Sequence, residues 1–167
     1  RGRTSDSRQV VISKGALGST RMNQSTITPT VVESQERLLF SYLQRLEKRK
    51  AGRRAVHIHL SNLRPENRRD HHVRLAADTF SRLVKIRKGQ LFILKNLDLF
   101  FAYSGESHND VETSIFKLLY LFSDDPMLKT QDEISKQNFC TFFNVERDFE
   151  EMLSLVRNMT QADNQNE

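Results

Sequence analysis

Apolar residues come in blocks along this chain, and their spacing switches between a helical and an alternating period. From Val31 onward, Val32, Leu39, Tyr42, Leu43 and Leu46 recur at helical spacing with Glu and Arg between them, which predicts an amphipathic helix over 31–52. Its last turn, "KRKAGRR", is basic and contains Gly52, as helix C-termini prefer. "AVHIHLSNL" (Ala55–Leu63) alternates, with Val56, Ile58 and Leu60 to one side and His57, His59 and Ser61 to the other; this is a strand pattern. After Pro65, the residues Val73, Ala76, Ala77, Phe80, Leu83 and Val84 form one stripe of a second helix. Two strands follow, Leu91–Leu94 and Leu97–Tyr103, joined by a tight turn. "NDVETSIFKLLYLF" opens with an Asn-x-x-Glu capping-box pattern and sets Val111, Ile115, Leu118, Leu119 and Phe122 on one face. "SDDP" stops that helix. Residues 127–138 read as a loop with a short helical turn, "NFCTFFNV" as a fourth strand, and "RDFEEMLSLVRNM" as a last amphipathic helix.

The order from Ala55 is β-α-β-β-α-β followed by a helix. It predicts an α+β fold of the ferredoxin-like type, with an antiparallel four-stranded sheet, both crossover helices on one face, an N-terminal helix and a C-terminal helix. The domain is expected over 55–160, behind the helix 31–52. Residues 1–30, rich in Ser, Thr, Arg, Gln and Gly, read as a disordered or linker segment, and 161–167 as a flexible tail. No run reaches the roughly 18 apolar residues that a membrane span needs. The single Cys140 excludes an intramolecular disulfide and fits a reducing compartment, so a cytoplasmic protein is expected.

Charge adds an asymmetry. The net charge is +5, but residues 45–88 hold fourteen Lys or Arg against four Asp or Glu, while 89–167 hold six against fourteen. A polyanion or partner contact is therefore expected on the basic half, around Arg53, Arg54, Arg64, Arg68 and Arg69. The acidic half could complement it in a dimer. Leu38 and Phe40 extend the apolar surface of the first helix beyond one stripe. Its residues Leu39, Tyr42, Leu43 and Leu46 thus mark an interaction helix, reaching another domain or a second copy.

Chemistry is sparse. The hairpin "GQLFILKNLDLFFAYSG" resembles the signature hairpin of GGDEF domains, the diguanylate cyclases, whose core has the same element order and a helix leading into it. The resemblance implies that Asn96 and Asp98 lie in a vestigial catalytic turn. Where that family carries two glycines and two acids, this chain reads "KNLDLF", and Asn96 and Leu97 are not glycine substitutes by residue type. The family's metal-binding Asp near the end of the first strand is missing from "HLSNLR", and its inhibitory Arg-x-x-Asp element is missing around "IRKGQ". A two-metal phosphoryl transfer needs several converging carboxylates. The expected protein is thus a regulatory or signalling module without catalysis, with no cofactor and no metal. His57 and His59 share a face and His71–His72 open the next helix, but the strand should hold the two pairs roughly 15–25 Å apart. The alternative is RNA binding. "VHIHLSNL" resembles the first-strand motif of RNA-recognition motifs, with His57 or His59 and the third-strand Phe101 and Tyr103 available to stack on bases. Cys140, among Phe139, Phe142 and Phe143, is expected to be inert.

Overall fold

Strand residues 99–103 are apolar without a break, and a strand apolar on both sides must be covered on both. The computed structural model, which describes residues 33–130 and 132–165, meets that requirement with three layers. The segment 1–30, expected to be disordered or linker, lies outside the described residues. Strands β1 (Arg53–Ile58), β2 (Gly89–Ile93), β3 (Leu99–Ser104) and β4 (Cys140–Asn144) pair antiparallel in the order β2-β3-β1-β4. The α-helices among the described residues are α1 (Gln35–Leu46), α2 (Asp70–Asp78), α3 (Ser81–Lys85), α4 (His108–Leu121), α5 (Glu133–Phe139) and α6 (Val145–Gln165). The protein is thus a mixed α+β fold on one antiparallel sheet. No described helix is long and apolar enough to cross a membrane.

On one face of the sheet, Val56, Ile58, Leu99, Phe101 and Tyr103 pack against Val73, Ala76, Phe80, Val111, Ile115 and Leu118 from the α2–α4 layer. On the other, Ala55, Phe92, Phe100 and Phe143 pack against Leu39, Leu43 and Leu46 of α1 and Phe149, Met152 and Val156 of α6. The interaction helix predicted from sequence is therefore occupied inside the domain. Leu39, Leu43 and Leu46 are buried, and Tyr42 is half-buried with its ring 5.6 Å from that of Phe92. Burial of a Leu is worth about 1.5–3 kcal/mol, and the open sheet face offers it without a second chain. Glu36 of α1, also buried, accepts from the Lys95 N–H at 2.6 Å and ties the helix to the β2–β3 turn.

Several boundaries differ from the sequence pattern, each for a local reason. Helix α1 stops at Leu46, and Gly52 instead makes the turn into β1 at φ 72°, a conformation that suits glycine. The second helix is broken into α2 and α3. The Thr79 hydroxyl donates to the Ala76 carbonyl and the Ser81 hydroxyl to that of Asp78, competing with the helical ladder. Phe80 and Leu83 stay buried, while Val84 turns outward. Strand β1 ends at Ile58 and passes into a 3₁₀ turn at Leu60–Asn62. Helix α4 starts at His108 after a 3₁₀ turn, so the Asn109 pattern does not cap it. The stretch expected as mostly loop contains α5, capped by the Asp132 carboxylate accepting from the Ser135 N–H at 2.8 Å. That helix takes Asn138 and Phe139 from the predicted fourth strand. Helix α6 continues to Gln165, over the described part of the expected tail.

Candidate functional site

Continuing the β1–β3 register two residues past His57–Phe100 brings His59 opposite Asp98. His57, His59 and Asp98 then share one sheet face at the end of β1. Asp98 is 3 % exposed. Burial pushes its carboxyl upward, but the His57 hydrogen bond and the Ser61 N–H outweigh this, and the group is held below the usual carboxylate range. An ionised carboxylate only accepts, so the His57 Nε2–H donates to Oδ2 at 2.9 Å. The Ser61 N–H donates to Oδ1 at 2.8 Å, and Asn96 Nδ2 to Oδ2 at 3.2 Å. His59 lies 4.2 Å from His57 between ring centroids, with Nδ1 3.9 Å from Asp98 Oδ2 and Nε2 bonded to Thr141 Oγ1 at 2.9 Å. Burial and the neighbouring His57 lower the pKa of His59, against the pull of Asp98.

The turn that presents Asp98 has three residues, Lys95, Asn96 and Leu97, closed by the Leu97 N–H donating to Leu94 O and the Leu94 N–H donating to Asp98 O. Such loops place their last residue in the left-handed region, normally as glycine. Leu97 takes it at φ 78°. This corrects the expectation from residue type: Leu97 does adopt a glycine conformation, at about 1–2 kcal/mol of strain, while its side chain packs against the core. Asn96 holds the turn from within, its Oδ1 accepting the Asp98 N–H at 3.0 Å.

A second feature lies at the opposite end of β1. A cleft of about 870 Å³ is lined by Tyr42, Arg45 and Arg49 from α1, Arg53 from β1, Arg87 and Lys88 from the α3–β2 link, and Glu106. Lys88 Nζ lies 2.9 Å from Glu106, whose carboxyl it holds below the usual range. Among the described residues no ion pair engages Arg45, Arg49, Arg53 or Arg87. Tyr42 forms part of the wall, its pKa raised by burial against the opposing pull of Arg53 and Arg45. Arg87 is held at φ 60°. Its N–H donates to Val84 O and that of Lys88 to Leu83 O, a Schellman ending of α3 with arginine at the position glycine usually takes.

The five arginines singled out from sequence do not form one surface. Arg53 and Arg54 open β1, and Arg64, Arg68 and Arg69 lie beyond its far end, since six strand residues span about 17–20 Å. Of the five, only Arg53 reaches the cleft. Arg45 and Arg49 were legible as an i, i+4 pair, but only the fold adds Arg87 and Lys88. Of the stacking platform expected for RNA, His57, Phe101 and Tyr103 are buried between the helical layers, and His59, its side chain 23 % exposed, is bonded to Thr141. His71 and His72 sit against each other and Phe122 rather than with His57. Asp125, predicted as part of a helix stop, is buried. It accepts from the Arg64 and Met127 N–H groups and Asn67 Nδ2 at 2.8–3.0 Å. The Cys140 thiol is pushed up to about 11 by burial, which suits an inert residue. Searches of known protein families, curated proteins and solved structures return no significant match to the chain.

Proposed function

We propose that the chain is a non-catalytic regulatory or signalling module that acts by contact with an acidic protein segment, from a partner or from a second copy of itself. One observation carries this reading. Four arginines and a lysine line an open cleft whose single carboxylate is already paired to the lysine. Cations left without counter-charge in a concave, water-filled site draw anions in and steer them. A protein rather than nucleic acid is favoured because the third-strand aromatics Phe100, Phe101 and Tyr103 are buried, while Phe116 and Tyr120, four residues apart on α4, are 64 % and 83 % exposed. The module is read as non-catalytic because Asp98, the acid of the hairpin, is a buried acceptor of three hydrogen bonds rather than an open carboxylate. The strand order β2-β3-β1-β4 supports the ferredoxin-like reading.

The test pairs sedimentation of the full chain with fluorescence anisotropy of a polyglutamate peptide. Self-association or peptide binding should weaken between about 50 and 300 mM salt and be lost in Arg45→Glu/Arg49→Glu. Signals insensitive to both changes would overturn the reading. Salt-sensitive binding of single-stranded RNA in place of the peptide would move it to the nucleic-acid alternative.

A further inference from the structure

We propose that His57, His59 and Asp98 bind a divalent first-row transition-metal ion, which staples the end of β1 to the β2–β3 turn. One donor atom from each residue lies within 4.8 Å of the others. On binding, the ion takes the place of the His57 Nε2–H that otherwise donates to Asp98, and that imidazole passes to its Nδ1–H tautomer. Metal–ligand bonds of about 2.0–2.2 Å in a tetrahedral site set donor atoms roughly 3.3–3.6 Å apart. The separations from Asp98 Oδ2, 2.9 Å to His57 Nε2 and 3.9 Å to His59 Nδ1, lie on either side of that range. The longer one exceeds a hydrogen bond, so His59 faces the carboxylate without bonding to it. A buried His–Asp pair alone is complete without a second imidazole. The second one, held within reach of the same oxygen, is what a shared ion would use.

The donor set selects the ion. Two imidazoles and one carboxylate suit zinc and its first-row neighbours, whereas magnesium and calcium take oxygen-rich sets. Outer partners of the usual kind are in place. Thr141 Oγ1 receives the Nε2–H of His59 in the tautomer that frees Nδ1, and Ser61 and Asn96 orient Asp98. The side chains of His57 and Asp98 are 6 % and 4 % exposed and that of His59 is 23 %, so an ion would enter past His59 and keep water as its fourth ligand.

The test uses the full chain, stripped with a chelator. Titration with zinc should give one ion per chain and raise Tm by several degrees at a hundredfold excess over Kd, and magnesium should leave Tm unmoved. Thr141→Val should weaken zinc binding by about 10- to 100-fold. His59→Ala, which leaves the buried His57–Asp98 pair intact, should weaken it further than that and keep the unliganded fold by circular dichroism. Zinc binding equally tight in His59→Ala, or no stoichiometric binding by the native chain, would overturn the proposal. Should His59→Ala fail to fold, cobalt(II) on the native chain decides. A visible spectrum of tetrahedral type supports the site, and an unchanged aqueous-ion spectrum rejects it.

Discussion

The two ends of β1 handle charge in opposite ways. Beyond Ile58, Asp98 and Asp125 are buried, and each accepts three hydrogen bonds from the chain around it. At the other end four arginines, Arg53 among them, line an open cleft, and among the described residues no carboxylate pairs with them. Each end also holds one non-glycine residue in the left-handed region, Leu97 at the first and Arg87 at the second. Leu97 offsets its strain by packing against the core, while the Arg87 side chain is exposed and has no such return. Charge that serves the fold is therefore enclosed and paired. Arg87, exposed on a strained backbone, has no such explanation within the described fold, and the anion contact proposed for the cleft would supply one.

The largest test of this contrast is Asp98→Ala. It strands a buried imidazole N–H, the Ser61 N–H and the Asn96 amide, and should cost about 3–5 kcal/mol, read as a lower urea midpoint. Arg45→Glu/Arg49→Glu on the open side should shift stability by no more than about 0.5 kcal/mol. Equal costs at the two ends would break the comparison. Asp125→Asn should cost about 1–3 kcal/mol at neutral pH. Burial pushes the Asp125 carboxyl up, but its three donors, aided by the Arg64 guanidinium, hold it below the ordinary range. Its contribution is therefore full above the unfolded value of about 3.9 and is lost as pH falls through the lower folded value. The gap between native chain and Asp125→Asn should close on acidification below about pH 4; a gap constant down to pH 2 would contradict this. Gly89→Ala comes next. A Cβ there would lie 2.2 Å from Cζ of Phe101, whose ring is fully buried against Phe80. Overpacking of this kind costs about 1–3 kcal/mol, and an unchanged thermal midpoint would show that the ring can yield.

Most elements were legible because their apolar periods are strong, and the misplaced boundaries fall where side chains compete with the backbone. Thr79 and Ser81 break a stripe that reads as one helix, and Asp132 caps a helix in a stretch whose composition suggests loop. Both candidate sites needed the topology. Asp98 lies about 40 residues from the His57–His59 pair in sequence and meets it through the β1–β3 register. Arg45 and Arg87 meet because α1 covers the face that carries Phe92 and Phe100. The apolar residues of α1 misled the reading because a stripe that docks internally has the same period as one that docks a partner.

A smaller effect, at Arg87, is the most diagnostic. Arg87→Gly removes about 1–2 kcal/mol of left-handed strain and adds about 0.5–1 kcal/mol of backbone entropy cost, so the protein should become more stable by roughly half to one kcal/mol. The same change deletes one cleft cation, and anion affinity should fall about 1.5- to 5-fold, as loss of one solvent-exposed ion pair does. Leu97→Gly relieves the same strain but loses core packing, so it should bring no comparable gain. Arg87→Lys keeps both charge and strain and should leave stability and affinity close to native. A position where glycine improves the fold and weakens the cleft is held by arginine for the sake of binding. If Arg87→Gly is neutral in calorimetry and in the anisotropy titration, the left-handed arginine is incidental, and the cleft loses the feature that sets it apart from an ordinary basic surface.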